Sequence, residues 1–286
     1  MDLIQAIILG LIQGLTEFLP ISSSGHLMLV PALFGWSDPG AGFTAVIQLG
    51  TLAAVFVFFW KDLVGMFKAW LASLASKEAR KVPEARLAWA VVLGTIPVIV
   101  FGLAFEDKID TSLRSPYIAA ATLIILGLVM AVAEKVGRQT RSLETVQVKD
   151  GLWVGLWQAL ALIPGSSRSG STITGALFGG FDRATAARFS FLLSVPAILG
   201  SGVYKLIKEK DVLLAQGAPA TIVATVIAFV SGYAAIAFLM KFLQTRSTMV
   251  FVVYRVILGI VVAVLAYQGV ISVHTQTPSE VTTSGS

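Results

Sequence analysis

Pro20-Ile21-Ser22-Ser23-Ser24-Gly25-His26 and Pro164-Gly165-Ser166-Ser167-Arg168-Ser169-Gly170-Ser171-Thr172 interrupt two otherwise apolar stretches, about half a chain apart. Each break supplies a proline, then hydroxyls and flexible backbone, then a fresh apolar run. That order predicts a helix ending at the break and a new helix N-terminus where hydrocarbon would otherwise be expected. Helix N-termini carry free N–H groups and the positive end of the peptide dipole, and both attract phosphate. The breaks and their approaches also hold Glu17, His26 and Arg168. A charge inside a membrane segment costs about 2.5–3.5 kcal/mol on insertion scales, so each of the three is a functional candidate.

The sequence around the breaks is that of a membrane protein. The chain has 286 residues, 56% hydrophobic and only 13% charged, with mean hydropathy +0.84. A soluble domain carries roughly 25% charged residues. Apolar runs near 43–60, 87–105, 117–133, 187–204, 218–240 and 249–271 meet or approach the roughly 17–25 residues that a spanning helix needs. The stretches at 2–34 and 150–180 differ, because each is interrupted near its middle by backbone that cannot stay helical. Such backbone survives at membrane depth only when protein shields it, which favours re-entrant hairpins. The expected fold is an all-α polytopic membrane protein with about six transmembrane helices plus two re-entrant helical hairpins in an inverted repeat.

The net charge of +5 and pI of about 9.5 would suggest a nucleic-acid surface in a soluble protein. Here the basic residues lie mainly in short connections, which points to topology and not to nucleic acid. Lys61, Lys68, Lys77, Arg80, Lys81 and Arg86 occupy one loop, and Lys135, Arg138, Arg141 and Lys149 another, whereas 106–116 sets Glu106, Asp107 and Asp110 against Lys108 and Arg114. The positive-inside rule places the first two loops in the cytoplasm and both termini outside, although Lys205, Lys208 and Lys210 then run against it. The absence of cysteine excludes disulfide and thiolate chemistry. The N-terminus lacks the basic start of a signal peptide and is expected to be retained. Residues 274–286 are polar and are expected to form a disordered tail.

Placing Pro20 on Pro164 sets Ser22 and Ser23 on Ser166 and Ser167, with Gly10 to Gly14 near Gly155 to Ala159 after one residue of slippage. Phe43-Thr44 falls opposite Phe189-Ser190 at a similar offset. Each half, about 1–140 and 141–273 of one membrane domain, then reads as a hairpin followed by three spans. An odd number of crossings inverts the second half and lets the hairpins meet from opposite faces. The competing explanation is chance, because glycine, serine, leucine and proline are common in membrane helices. Leu63, Phe67, Trp70 and Leu74 share a helical face in the 61–86 loop, as in a helix lying at the interface.

Gln13 and Glu17 are four apart and share a helix face. Their oxygens suit either a hard cation that draws its other ligands from diphosphate and water or a plain interhelical hydrogen-bonded pair. One of Ser22, Ser23 and Ser24 is expected to cap the following helix. If Ser22 caps, Ser23 and His26 face each other on the first turn at the spacing of a nucleophile and its base. The alternative for His26 is a helix–helix hydrogen bond. Arg168 offers a planar fork suited to phosphate, with hydroxyls from Ser167, Ser169, Ser171 and Thr172 around it, or else it pairs with Glu17 or reaches an interface. Asp182, Arg183 and Arg188 read as a solvated turn, with docking of a head group as the other reading.

At Gln13-Gly-Leu-Thr-Glu17-Phe-Leu-Pro-Ile-Ser-Ser-Ser-Gly-His26 and Pro164-Gly-Ser-Ser-Arg-Ser-Gly-Ser-Thr172 the chain resembles the bacterial undecaprenyl-pyrophosphate phosphatase family of the bacitracin-resistance type. The resemblance covers essentially the whole chain before the tail. Many members carry glutamate where this chain has Gln13, which shifts metal binding toward Glu17. The resemblance implies a membrane phosphatase that hydrolyses undecaprenyl diphosphate to undecaprenyl phosphate and inorganic phosphate, recycling the lipid carrier of peptidoglycan synthesis. It implies a divalent cation, Mg²⁺ or Ca²⁺, a pocket opening on the outer side of the cytoplasmic membrane, and a homodimer. By position, Ser23 becomes the nucleophile, His26 its proton-transfer partner, Arg168 the phosphate clamp, and Glu17 a metal ligand or base. Ser22, Ser24, Ser167, Ser169 and Thr172 become the phosphate shell, and attack by water with Ser23 only binding phosphate stays open. The rival readings are a transporter or flippase of a phosphorylated polyprenyl lipid, since inverted repeats with broken helices are common in transporters, and an anion channel, which Glu17 beside the pore disfavours.

Overall fold

The computed structural model describes residues 1–37, 40–110, 112–208 and 218–271. Lys210 and the 274–286 tail lie outside the described residues. Twelve α-helices follow in order among the described residues: α1 (Leu3–Phe18), α2 (Ser23–Phe34), α3 (Gly40–Phe58), α4 (Trp60–Ala75), α5 (Pro83–Ala104), α6 (Glu106–Asp110), α7 (Pro116–Val136), α8 (Val148–Ala159), α9 (Arg168–Phe178), α10 (Arg183–Lys208), α11 (Ala218–Phe242) and α12 (Met249–Tyr267). The described residues contain no strand, only an isolated bridge between Arg141 and Phe181.

Five of these, α5, α7, α10, α11 and α12, are long and apolar enough to cross a membrane, and α3 with α4 makes a sixth if the bent pair counts as one span. Only 33–39% of each long span is buried within the protein. Ile96, Ile99, Val100 and Leu103 on α5, and Ile222, Val226 and Val230 on α11, face outward. Helices apolar on all sides with so little protein cover are solvated by lipid. The six runs read from the sequence coincide with α3, α5, α7, α10, α11 and α12.

α4 meets α3 at a bend of 81°. Leu63 and Trp70 pack onto the main core, whereas Phe67 and Leu74 point outward. Ser73 pins α4 to α5 by accepting from Trp89 Nε1 at 2.9 Å, and its carbonyl accepts from Arg80 Nε at 2.8 Å. Next to α8, Arg141 donates to Asp150 at 2.6 and 2.9 Å and to the Gly179 carbonyl. Asp150 holds the Arg141 guanidinium above its ordinary pKa.

The interrupted stretches pack reciprocally. α1 lies along α11 and α8 lies along α5, while α7 pairs with α12. Small residues permit these approaches. A Cβ on Gly10 would meet the Ala224 carbonyl oxygen at 2.4 Å, and one on Gly155 would meet the Gly94 oxygen at 2.1 Å. Gly155→Ala must push α8 off α5, a kind of overpacking that costs about 1–3 kcal/mol. It is expected to lower the melting temperature in detergent by several degrees, whereas Gly65→Ala, whose Cβ would meet nothing within 4 Å, leaves it unchanged. Equal melting of the two variants would show that the α5–α8 approach has slack.

Candidate active site in the two helix breaks

α1 ends at Phe18, and the chain turns through Leu19 to Ile21 before α2 starts. Ser22 is the N-cap, its hydroxyl accepting from Gly25 N at 3.3 Å, with φ 74°. The second break ends the same way: Ser167 caps α9, accepts from Gly170 N at 3.1 Å and has φ 63°. Positive φ in a residue with a Cβ costs about 1–3 kcal/mol and persists only where the surroundings enforce it. Ser167 is therefore the counterpart of Ser22, and the register drawn through the two prolines is off by one residue. The second break carries an extra residue, Gly165 at φ 84°, between its proline and its cap. In the corrected register Gly10 matches Gly155, Gln13 matches Gln158, Ser23 matches Arg168 and Ser24 matches Ser169 without slippage. The hydroxyl pair Ser22–Ser24 at 3.1 Å recurs as Ser167–Ser169 at 3.3 Å.

The two breaks converge on one carboxylate. Glu17, 5% exposed, accepts from Gln13 Nε2 and Ser23 Oγ on Oε2 and from Arg168 Nη2 on Oε1, each at 2.8 Å. Ser23 and Arg168 are the first residues of α2 and α9. The corresponding positions of the two breaks thus supply a hydroxyl and a cation to the same acid. The matching position in the second half is Leu162, so only one half carries the acid. Glu17 thus accepts three hydrogen bonds, one of them from a cation, and two buried atoms beside it have no partner: Gln13 Oε1 and Arg168 Nη1. The ion pair that the sequence offered as an alternative to phosphate binding is formed, and it leaves half of the Arg168 fork unsatisfied.

His26 does not meet Ser23. Its Nδ1 lies 2.7 Å from the Ser22 carbonyl and its Nε2 2.6 Å from the Tyr254 hydroxyl. A carbonyl only accepts, so Nδ1 carries a proton toward it, while Nε2 shares a hydrogen bond with the Tyr254 hydroxyl. The Ser23–His26 contact expected from spacing is not formed, and Ser23 meets Glu17 instead. Ser24, exposed, accepts from Gly165 N at 3.2 Å and ties the breaks together. Ser169 donates to the Leu19 carbonyl at 3.1 Å, a second tie. Ser22 and Ser167 are buried as caps, Ser171 donates to the Ser166 carbonyl, and Thr172 is buried against Ser190 at 2.5 Å. Residues 182–188 are not a solvated turn but the cap and first turns of α10. Asp182 caps α10 through Thr185 N at 2.8 Å, Arg183 pairs with Glu134 at 2.6 Å and Arg188 with Asp62 at 2.5 Å.

Sequence reasoning missed Tyr254 and Arg255. Both lie on α12, which read only as an apolar span. A lone arginine in such a run was the available signal.

The profile of the family described as Bacitracin resistance protein BacA matches residues 6–261. A protein of Renibacterium salmoninarum named "Undecaprenyl-diphosphatase" is 53% identical over 279 residues, covering 95% of this chain and 98% of its own. Proteins of the same name from Myxococcus xanthus and Chloroherpeton thalassium are 52% and 50% identical, covering 95% and 94% of this chain and 92% and 98% of theirs. With a profile match across most of its length and half of its residues shared with such relatives, the chain belongs to the bacitracin resistance protein BacA family.

Proposed function

We propose that this protein hydrolyses the terminal phosphate of undecaprenyl diphosphate, leaving undecaprenyl phosphate and inorganic phosphate for reuse of the lipid carrier in peptidoglycan synthesis. The observation that carries the reading is the 2.8 Å contact of Ser23 Oγ with Glu17, on a carboxylate that also holds Arg168. The names of the relatives support hydrolysis over the transport reading.

Ser23 stands at the start of α2, where free N–H groups favour an incoming phosphate. Its Oγ attacks the terminal phosphorus and its proton passes to Glu17, while the bond to the bridging oxygen breaks and polyprenyl phosphate leaves. Glu17 gives up that proton as the polyprenyl phosphate departs. Water then attacks the phosphoserine phosphorus, passing a proton through Glu17 to Ser23 Oγ as the Ser–O–P bond breaks, which gives inorganic phosphate and restores both Ser23 and the Glu17 carboxylate. Arg168 keeps Nη2 on Glu17 and uses its unpaired Nη1 to neutralise the phosphoryl oxygens. Such displacement depends mainly on positioning and charge neutralisation, and the two helix N-termini contribute to both. His26, fixed between Ser22 and Tyr254, positions the first turn of α2.

The donor set suits a divalent cation, Mg²⁺ or Ca²⁺. Glu17 and the unpartnered Gln13 Oε1 would hold it, with no cluster of three His, Cys, Asp or Glu among the described residues. Most of its ligands would then come from diphosphate and water. When bound it would offset charge on the diphosphate.

We place the protein in the cytoplasmic membrane of a bacterium, with the breaks opening outward. The single membrane domain, 1–273, would consist of inverted halves, and the reciprocal packing of α1 on α11 and α8 on α5 supports that arrangement. The polyprenyl tail stays in hydrocarbon while the diphosphate enters between the breaks.

Phosphate release by purified protein in detergent, with and without Mg²⁺ or Ca²⁺, tests the function. Ser23→Ala is expected to lower it at least about 10²-fold, in the range of lost nucleophilic or acid–base catalysis, without altering melting. No release from well-folded protein with either cation would return the flippase reading.

A further inference from the structure

Arg255 is fully buried at 0% exposure, the bulkiest of the side chains so enclosed. No carboxylate lies within ion-pair distance of it among the described residues. It donates instead to four carbonyls: Nη2 to Ser166 at 2.9 Å, Gly165 at 3.4 Å and Thr122 at 3.3 Å, and Nε to Leu123 at 3.3 Å. Two of these belong to the second break and two to α7. Nη1 has no partner and lies against the first turn of α9, where a Cβ on Gly170 would come within 2.3 Å of it. One residue earlier, Tyr254 holds His26 of the first break.

A buried cation without a counter-charge is costly. Glu17 and Arg168 offset each other, so Arg255 leaves one uncompensated positive charge behind the breaks. That is the sign a diphosphate requires. Its hydrogen bonds also act where the backbone is strained, on the two residues preceding Ser167 at φ 63°.

We propose that Arg255 is a positioning residue of the phosphate site, holding the Gly165–Ser166 backbone against α7 so that Ser167, Arg168 and the α9 N-terminus are set for the diphosphate, whose charge it balances from behind. The proposal rests on the phosphatase reading for its substrate and on the local geometry for its mechanism. Thr122 assists from α7, donating to the Pro164 carbonyl at 2.6 Å.

Arg255→Lys keeps the charge but loses the fork, and Thr122→Val removes one tie in an isosteric side chain. In Arg255→Lys, kcat is expected to fall at least about 30-fold, with KM for a polyprenyl diphosphate within about threefold, because the polyprenyl tail stays in hydrocarbon whichever residue stands at 255. In both variants, hydrogen exchange at 163–170 is expected to quicken while α5 and α11 stay protected. The melting shift produced by inorganic pyrophosphate is expected to shrink in Arg255→Lys. Unchanged kcat and pyrophosphate shift in folded Arg255→Lys would overturn the proposal. So would exchange quickening across α5 and α11 in both variants, which assigns the pair a global packing role. If the unaltered protein releases no phosphate, the phosphatase reading fails, and the exchange and pyrophosphate measurements still decide Arg255.

Discussion

Glu17→Gln is expected to reduce phosphate release by about 10³-fold, within the range that loss of a positioned acid or base produces, while the protein keeps its fold. The substitution preserves size and leaves an oxygen that can accept from Arg168 or Ser23, but it removes the charge that serves three donors at 2.8 Å. Ser23 then has no proton acceptor. Arg168 becomes a buried cation without its counter-charge, a change that costs about 3–5 kcal/mol when a buried pair is fully broken. The retained amide acceptor softens that cost, so the melting temperature in detergent falls by only a few degrees. Activity and stability therefore separate. Glu17→Asp is the sharper control, since it keeps the charge but withdraws it by one methylene from groups fixed on α2 and α9. It is expected to retain most of the stability and to recover only part of the rate. Near-normal turnover in Glu17→Gln would exclude Glu17 as the base and favour attack by water with Ser23 as a phosphate ligand.

Much of the architecture was legible because a bilayer leaves few options. Runs such as 218–240 and 249–271 are apolar over nearly their whole length, and no other sequence statistic competes with that signal. The two breaks were legible for the complementary reason, since Pro20 and Pro164 with their serines cannot continue a helix. What spacing could not supply was register and rotation. The proline match misplaced the second break by one residue because the serine caps, and not the prolines, fix where α2 and α9 begin. Likewise, Ser23 and His26 have the spacing of a facing pair, yet partners outside that turn claim both. Glu17 takes Ser23 from the preceding helix, and Tyr254 takes His26 from the far end of the chain. Arg255 escaped notice because one charge barely alters a long apolar run, although a charge retained there is more informative than the residues around it.

Arg168→Lys is expected to lower phosphate release by at least about 10²-fold, a loss comparable to removing one preorganised donor of transition-state charge. The two side chains carry the same charge, so any long-range attraction of the diphosphate survives. What differs is geometry. Arg168 spends Nη2 on Glu17 at 2.8 Å and keeps Nη1 buried without a partner. One planar group therefore bridges the acid of the first break and the phosphate site of the second. An ammonium is a compact point charge on a shorter reach and cannot present two fixed, parallel donors to both. Lysine at this position is expected to choose Glu17, since that carboxylate is permanently in place. Ground-state binding should then weaken less than turnover: KM is expected to rise by no more than about fivefold while kcat carries the rest of the loss. Arg168→Ala removes the ion pair too and leaves Glu17 held only by Gln13 and Ser23, so it should lose stability as well as activity. If Arg168→Lys instead raised KM with kcat intact, Arg168 would serve mainly to recruit the diphosphate, and charge neutralisation during transfer would fall to the cation and the two helix N-termini.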